Sequence, residues 1–302
     1  MTEFYSHGKL LLTSEYAVLN GAEALAIPTK FGQYLKVKTT HDDLFHWESL
    51  DHKSKPWFTA TFRVEQSILA IVTTNDSDKG IRLQNIIGTA QNLRSSPLRL
   101  NGTKVSTELE FDQNWGLGSS STLINNIAEW FKVDAFTLLR ESFGGSGYDI
   151  ACAKTSSPIV YATTNGISSF SPVQLHWSFT EQLYFVYLNK KQNSREGIAN
   201  YKRLNLITAS IIDRLNTLTK HIINAQNGST FDELINEHND IISGLIKMPS
   251  ARAEWFPDFK GSIKNLGAWG GDFIMVRSDN DPKSYFKNKG FNTIVSYKEM
   301  AL

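Results

Sequence analysis

The residues of this chain best suited to chemistry gather around three glycine-rich segments. The first, Trp115-Gly116-Leu117-Gly118-Ser119-Ser120-Ser121-Thr122, runs straight into the apolar Leu123, Ile124, Ile127 and Ala128. Two glycines let the backbone turn sharply and approach a ligand closely. A helix beginning at the serines would aim unpaired N–H groups and its positive dipole end at an anion. The hydroxyls add donors, any of which can also reach a metal ion. This is the composition of a phosphate cradle, and equally that of a glycine turn followed by a serine N-cap. It is not a Walker A loop, which ends in Gly-Lys-Ser/Thr, nor a dinucleotide fingerprint, which needs a third glycine. Ser119 also lacks the Gly-x-Ser-x-Gly elbow of a hydrolase nucleophile.

The second segment, Gly144-Gly145-Ser146-Gly147-Tyr148-Asp149-Ile150-Ala151, delivers a single carboxylate on a tight turn. Beside a phosphate site, Asp149 could accept the proton of an attacking hydroxyl; the plainer reading is an aspartate that satisfies its own turn. The third, Gly267-Ala268-Trp269-Gly270-Gly271-Asp272, precedes an apolar strand. It either brings backbone close to a ligand or forms a bulged turn.

These segments need elements to hold them. Strands are expected at Leu10-Leu11-Leu12, at Tyr34-Leu35-Lys36-Val37-Lys38 with its period-2 alternation, and at Trp57-Phe58-Thr59-Ala60. Asn101-Gly102 predicts a hairpin across 98–105. The stretch 63–94 reads as mostly helical with a break at Asn75-Asp76-Ser77-Asp78, and helices are expected at 119–131 and 134–142. Leu204, Ile207, Ile211, Leu215, Leu218 and Ile222 form one apolar stripe, which predicts a single helix over 196–226; a second stripe predicts one over 230–247. Phe273-Ile274-Met275-Val276 and Asn292-Thr293-Ile294-Val295 read as strands. Strands mixed with helices in both halves indicate an α+β fold, divided here into domains 1–172 and 173–302 at the Ser171-Pro172 turn.

Composition narrows the function classes. The 302 residues carry 31 Lys+Arg against 30 Asp+Glu, a formal charge of +1, so no global field recruits nucleic acid or an anionic membrane. Apolar runs fall far short of the ~20 residues that span a bilayer. The start lacks a basic n-region and a small-residue cleavage site, so a cytoplasmic protein is expected. The one cysteine, Cys152, excludes an internal disulfide framework and a Cys-ligated zinc site. His41-Asp42-Asp43 with His46 reads as a solvated loop, because no further ligand follows at metal-binding spacing.

The order of three motifs resembles the GHMP kinase superfamily, in its mevalonate and phosphomevalonate kinase branch. Gly8-Lys9-Leu10-Leu11-Leu12-Thr13-Ser14-Glu15-Tyr16-Ala17-Val18-Leu19 is similar to the opening motif of those kinases. Gly116-Leu117-Gly118-Ser119-Ser120 matches their phosphate loop, and 267–272 is similar to their closing glycine loop. The resemblance implies a ribosomal protein S5 domain 2-like N-terminal domain and a ferredoxin-like C-terminal one, with ATP and Mg²⁺ as cofactors. It implies phosphate contacts from Gly116, Leu117, Gly118, Ser119, Ser120 and Ser121, with Asp149 and Lys9 as the catalytic pair. It further implies acceptor contacts from Glu15, Ser146, Tyr148, Lys191, Arg195, Gly270 and Gly271, and metal contacts from Ser119 and Glu141. The spatial expectation is that Lys9, the hydroxyls at 119–120 and Asp149 line one pocket.

The chain departs from the family at His7, Ser14 and Trp269, the last setting a large ring where backbone approaches a ligand. Leu138 stands where mevalonate kinases carry a magnesium-binding glutamate; Glu141 is the nearest upstream acid.

Two acceptors stay open. Gly145-Ser146-Gly147-Tyr148-Asp149 and the terminal Asp272 are closer to phosphomevalonate kinases, and Lys190, Lys191 and Arg195 would suit an acceptor that already carries phosphate. The same basic loop could simply be solvated, and the length is typical of mevalonate kinases. Asn193 and Glu196 look like an N-cap pair for the helix that follows. The alternatives are a non-catalytic nucleotide-binding protein of the same fold, a related phosphomevalonate decarboxylase and a sugar kinase. A small-molecule substrate is expected, with no nucleic acid or membrane partner and a homodimer left open.

Overall fold

Period-2 burial dominates the first third of the chain. The computed structural model describes residues 1–302 apart from 66, 67 and 165. Strands β1 (Thr2–Leu11), β2 (Ala24–Thr39), β3 (Phe45–Leu50), β4 (Pro56–Glu65) and β5 (Ile68–Thr74) come first, followed by helix α1 (Ser77–Asn92) and strand β6 (Thr103–Leu109). Helices α2 (Ser119–Phe131), α3 (Ala135–Ser142) and α4 (Tyr148–Ala153) precede strands β7 (Ile159–Thr164), β8 (Ile167–Pro172) and β9 (Leu183–Tyr187). Then come α5 (Ser194–Leu204), α6 (Ala209–Ile223), α7 (Gly228–Ile246) and α8 (Ala251–Trp255). The chain closes with β10 (Ser262–Asn265), β11 (Phe273–Arg277), α9 (Lys283–Asn288), β12 (Ile294–Ser296) and α10 (Tyr297–Met300).

Two compact units result. The first comprises Met1–Gly8, Phe31–Gln113 and Leu117–Lys154. Its strands run in the order β5-β4-β3-β6-β2, antiparallel except for the parallel pair β3 and β6. Alternate residues of β3 and β6 are buried, so one face of each strand meets the core. Phe45, Trp47, Phe58 and Phe62 from the strands pack with Ile86 and Ile87 of α1, Ile124, Ile127 and Phe131 of α2, and Leu138 and Leu139 of α3. Truncating one of the buried phenylalanines to alanine would cost about 3–5 kcal/mol.

The second unit comprises Lys9–Lys30, Asn114–Gly116 and Thr155–Leu302. Here the N-terminal part of β2 pairs with β7, and β7 with β8. A separate antiparallel sheet has the order β10-β11-β9-β12. All five residues of β11 are buried, as expected of a strand covered on both faces. Helix α7 packs on β10 and against α5 and α6.

The α+β reading agrees with this architecture, and α2, α3 and α7 lie close to the helices expected at 119–131, 134–142 and 230–247. Three local expectations do not hold. Of the stretch read as mostly helical, 63–65 and 68–74 are strand, and the helix begins only at Ser77, where Asp76 accepts a hydrogen bond from the Lys79 amide; residues 66 and 67 of that stretch lie outside the described residues. The Asn101-Gly102 turn builds no hairpin, because β6 pairs with the distant β2 and β3 instead. The predicted 196–226 helix is two helices. Asn205 ends α5 at φ 48°, and the Thr208 side chain caps α6 by accepting from the Ile211 amide. No helix among the described residues is long and apolar enough to cross a membrane.

Candidate active site

In the first unit, the serine loop becomes a helix start of an open kind. Gly118 stands before α2 at φ 88°, a conformation that costs other residues about 1–2 kcal/mol. Its carbonyl accepts from the amides of Ser121 and Thr122, both at 3.0 Å, and no side chain caps the first turn. Ser120 is exposed and Ser119 and Ser121 are partly so, whereas Leu117 is buried beneath them. Thr122 turns the other way: it is buried and donates to Gln33 Oε1 at 2.6 Å. Deeper in the helix, Asn125 donates to Ser6 Oγ at 2.9 Å, and Ser6 donates to Asn126 Oδ1 at 2.7 Å. Asn126 in turn donates to the Gln33 carbonyl at 2.9 Å. This buried polar chain ties α2 to β1 and β2, and among its members only the Asn125 Oδ1 is left without a hydrogen bond. It escaped the sequence reading; its signal was the polar pair Asn125-Asn126 on an otherwise apolar helix face.

The second glycine segment begins α4. Gly144, Gly145 and Gly147 all have positive φ, and Asp149 lies in the first turn, partly exposed with Ser146 and Tyr148. Ile150 and Ala151 are fully buried, and α4 packs on α2. Glu141 is exposed on α3, and Leu138 is fully buried in the core of this unit. An apolar residue at 138 is thus required by packing. Among the described residues no group of three His, Cys, Asp or Glu could hold a metal ion.

In the second unit, the opening motif adopts strained backbone. Ser14 and Tyr16 have φ of 59° and 63°, each costing on the order of 1–3 kcal/mol unless surroundings hold it. They do: the Ser14 amide donates to His238 Nε2 at 2.8 Å, and the Tyr16 hydroxyl donates to the Ala268 carbonyl at 2.7 Å. Tyr16 also stacks on Tyr201. Between these two residues Glu15 is fully buried, hydrogen-bonded to the equally buried Lys264, with His238 Nε2 3.7 Å from its other oxygen. The structure therefore gives Glu15 an internal partner and no exposed surface.

The closing loop shares this interior. Trp269, at φ 50°, packs its ring with Tyr16, Tyr201 and Leu215 and is 1% exposed. The sequence sets this large ring in the glycine loop; the structure buries it in the core of the second unit. Gly271 could carry no side chain, since a Cβ there would lie 2.7 Å from the Lys190 carbonyl. Gly270 keeps a positive φ of 79°.

Lys9 is partly buried and donates to the Gly116 carbonyl at 3.1 Å. Asp272 abuts the same glycine, where a Cβ would fall 2.4 Å from its carboxyl carbon. Burial pushes the Asp272 carboxyl above the usual aspartate range; the Gln192 amide and the charges of Lys9 and Lys191 pull it back. Lys191 and Arg195 are exposed. Asn193 accepts from the Arg195 amide at 3.1 Å and donates to Glu196 at 2.7 Å.

No protein-family model and no curated protein matches the sequence. Solved structures do. The chain is similar to mevalonate kinase from Methanococcus jannaschii at 14% identity and a TM-score of 0.73, over 100% of this chain and 98% of that one. It is similar to Streptococcus pneumoniae phosphomevalonate kinase in complex with phosphomevalonate and AMPPNP at 16% identity and a TM-score of 0.70, over 98% and 100%. Lactococcus lactis galactokinase complexed with galactose gives 14% identity and a TM-score of 0.68, over 97% and 92%. The architecture is the GHMP kinase fold, shared with kinases of mevalonate, phosphomevalonate and galactose.

Proposed function

We propose that this chain is an ATP-dependent kinase that phosphorylates a hydroxyl of a small mevalonate-type acceptor, mevalonate or phosphomevalonate. The observation that carries the reading is the start of α2, where a left-handed glycine leads into three serines with no side chain capping the turn. Such an end, with its amides and dipole, suits the phosphates of a nucleotide. Gly116, Leu117 and Gly118 would supply close backbone, and Ser119, Ser120 and Ser121 hydroxyl donors.

Asp149 would take the proton of the acceptor hydroxyl as its oxygen bonds to the γ-phosphorus and the bond to the β-phosphate breaks, its electron pair leaving with ADP. Lys9 would offset the charge that grows on the transferred group, a contact worth about 3 kcal/mol where such donors have been removed. Ser146, Tyr148, Gly270 and Gly271 would line the acceptor side. Lys191 and Arg195 suit an acceptor that already carries phosphate, since charge-assisted pairs to phosphate are strong. Of the described residues, the Ser119 hydroxyl and the exposed Glu141 carboxylate would be the donors to Mg²⁺, which would supply neutralisation of phosphate charge.

A coupled ADP-release assay with mevalonate, phosphomevalonate and galactose tests the proposal. Turnover with either of the first two is expected. Turnover with galactose alone, or with none, would reject it. A second reading, a nucleotide-binding protein without catalysis, is favoured by the apolar Leu138. That reading expects thermal stabilisation by ATP–Mg²⁺ without turnover of any acceptor.

A further inference from the structure

Gly116 is gripped from two sides. The Lys9 ammonium donates to its carbonyl, and the Asp272 carboxylate occupies the space where its side chain would be, within 2.4–2.7 Å of a Cβ position. Asp272 is itself held rigidly at φ 54°. Its amide donates to the Lys190 carbonyl at 2.7 Å, its carbonyl accepts from the Leu188 amide at 2.8 Å, and its Oδ1 accepts from the Gln192 amide at 3.1 Å. Shape and these hydrogen bonds would be served as well by asparagine. What only aspartate adds is a negative charge, placed in a largely buried position where desolvation disfavours it and where Lys9 and Lys191 are the cations that favour it.

We propose that Asp272 is a positioning residue for phosphoryl transfer: it holds the Lys9 ammonium charged and aimed along the backbone at Gly116, where the serine loop begins. The proposal rests on the kinase reading above, in which Lys9 offsets charge on the transferred group. Asp272 touches no reacting atom; it acts through Lys9. The same wedge explains why position 116 must be glycine on steric grounds beyond its φ of 69°.

The isosteric D272N separates charge from shape. Amine acetylation rates followed by mass spectrometry across pH would report the titration of Lys9, with the exposed Lys287 as reference. Loss of a nearby carboxylate lowers the pKa of an ammonium, so Lys9 is expected to titrate about one unit lower in D272N, with Lys287 unchanged. With the acceptor identified, kcat should fall about tenfold or more while the acceptor KM stays within about threefold, the signature of a contact that matters in the transition state. The alkaline limb of kcat should move to lower pH. If D272N folds poorly, D272S, which keeps an acceptor near the Gln192 amide, replaces it. An unchanged Lys9 titration would overturn the proposal, as would a lowered one with undiminished kcat. If the wild-type protein turns over no acceptor, the kinase reading fails separately, and the Lys9 titration still decides what Asp272 does.

Discussion

Lys264 and Glu15, one at a strand and one on a strained turn, meet in the interior of the second unit with neither side chain exposed. Burial pushes the carboxyl up and the ammonium down, and each group opposes the other's shift. Charges without water are tolerated only as a pair. Because Glu15 lies between Ser14 and Tyr16, the pair also holds the opening motif, and the cation–π contact of Lys264 with Trp269 extends that hold to the closing loop.

Removing one partner should therefore be far worse than removing both. Lys264→Met leaves a buried carboxylate alone and is expected to cost about 3–5 kcal/mol, whereas Lys264→Met with Glu15→Leu should recover most of that loss. Urea denaturation of the three proteins measures it; equal losses in the single and double variants would contradict the pairing.

His238, buried beside this pair, accepts from the Ser14 amide, and burial together with the Lys264 charge holds its pKa well below 6.5. A histidine depressed in the folded state leaves stability intact above its unfolded pKa near 6.5. As pH falls below that value the unfolded chain takes up a proton the folded one refuses, at about 1.4 kcal/mol per unit. The stability difference between wild type and His238→Gln should shrink along this slope from about pH 6.5 towards 5, whatever Glu15 adds to both. A pH-independent difference would show that His238 does not titrate this way.

Asp149→Asn should lower kcat by about 10²–10⁴ if the carboxylate is the general base. The stabilisation conferred by ATP–Mg²⁺ in a thermal melt should persist, because this residue is assigned to the proton and not to the nucleotide. Full activity in the variant would remove it from the chemistry.

Gly118→Ala forces a Cβ onto a left-handed residue at the head of α2, at a cost of about 1–2 kcal/mol. The larger effect is expected on ligand binding. If the thermal shift with nucleotide stays at its wild-type size, the phosphates lie elsewhere.

Lys191→Ala and Arg195→Ala discriminate between the acceptors. Each should raise the KM of phosphomevalonate about tenfold, equivalent to about 1.4 kcal/mol, and leave that of mevalonate nearly unchanged. Equal effects on both would assign the two cations to something other than an acceptor phosphate.

What was readable in the residues was mostly local. The glycines that start α2 and α4 announce positive φ through composition, and the stripe of α7 announces a buried face through period. Pairing at a distance leaves no such trace. Strand β6 follows an Asn-Gly turn suited to a hairpin yet takes partners from β2 and β3, because those strands offer a longer buried face than the residues just before it. The stripe from Leu204 to Ile222 runs across the break at Asn205, and Ile198 and Tyr201 of α5 share one core cluster with Ile211 and Leu215 of α6. Glu15 was legible as a motif residue but not as half of an ion pair, its partner lying 249 positions away.

The indole of Trp269 is rooted in the interior while its backbone forms part of the glycine loop. Swinging that loop outward would draw the ring into water, at roughly 4–6 kcal/mol for the area of a tryptophan. Such a loop behaves as a fixed wall. In the kinase proposed above, movement that admits and releases ligands would therefore fall to segments other than 267–272.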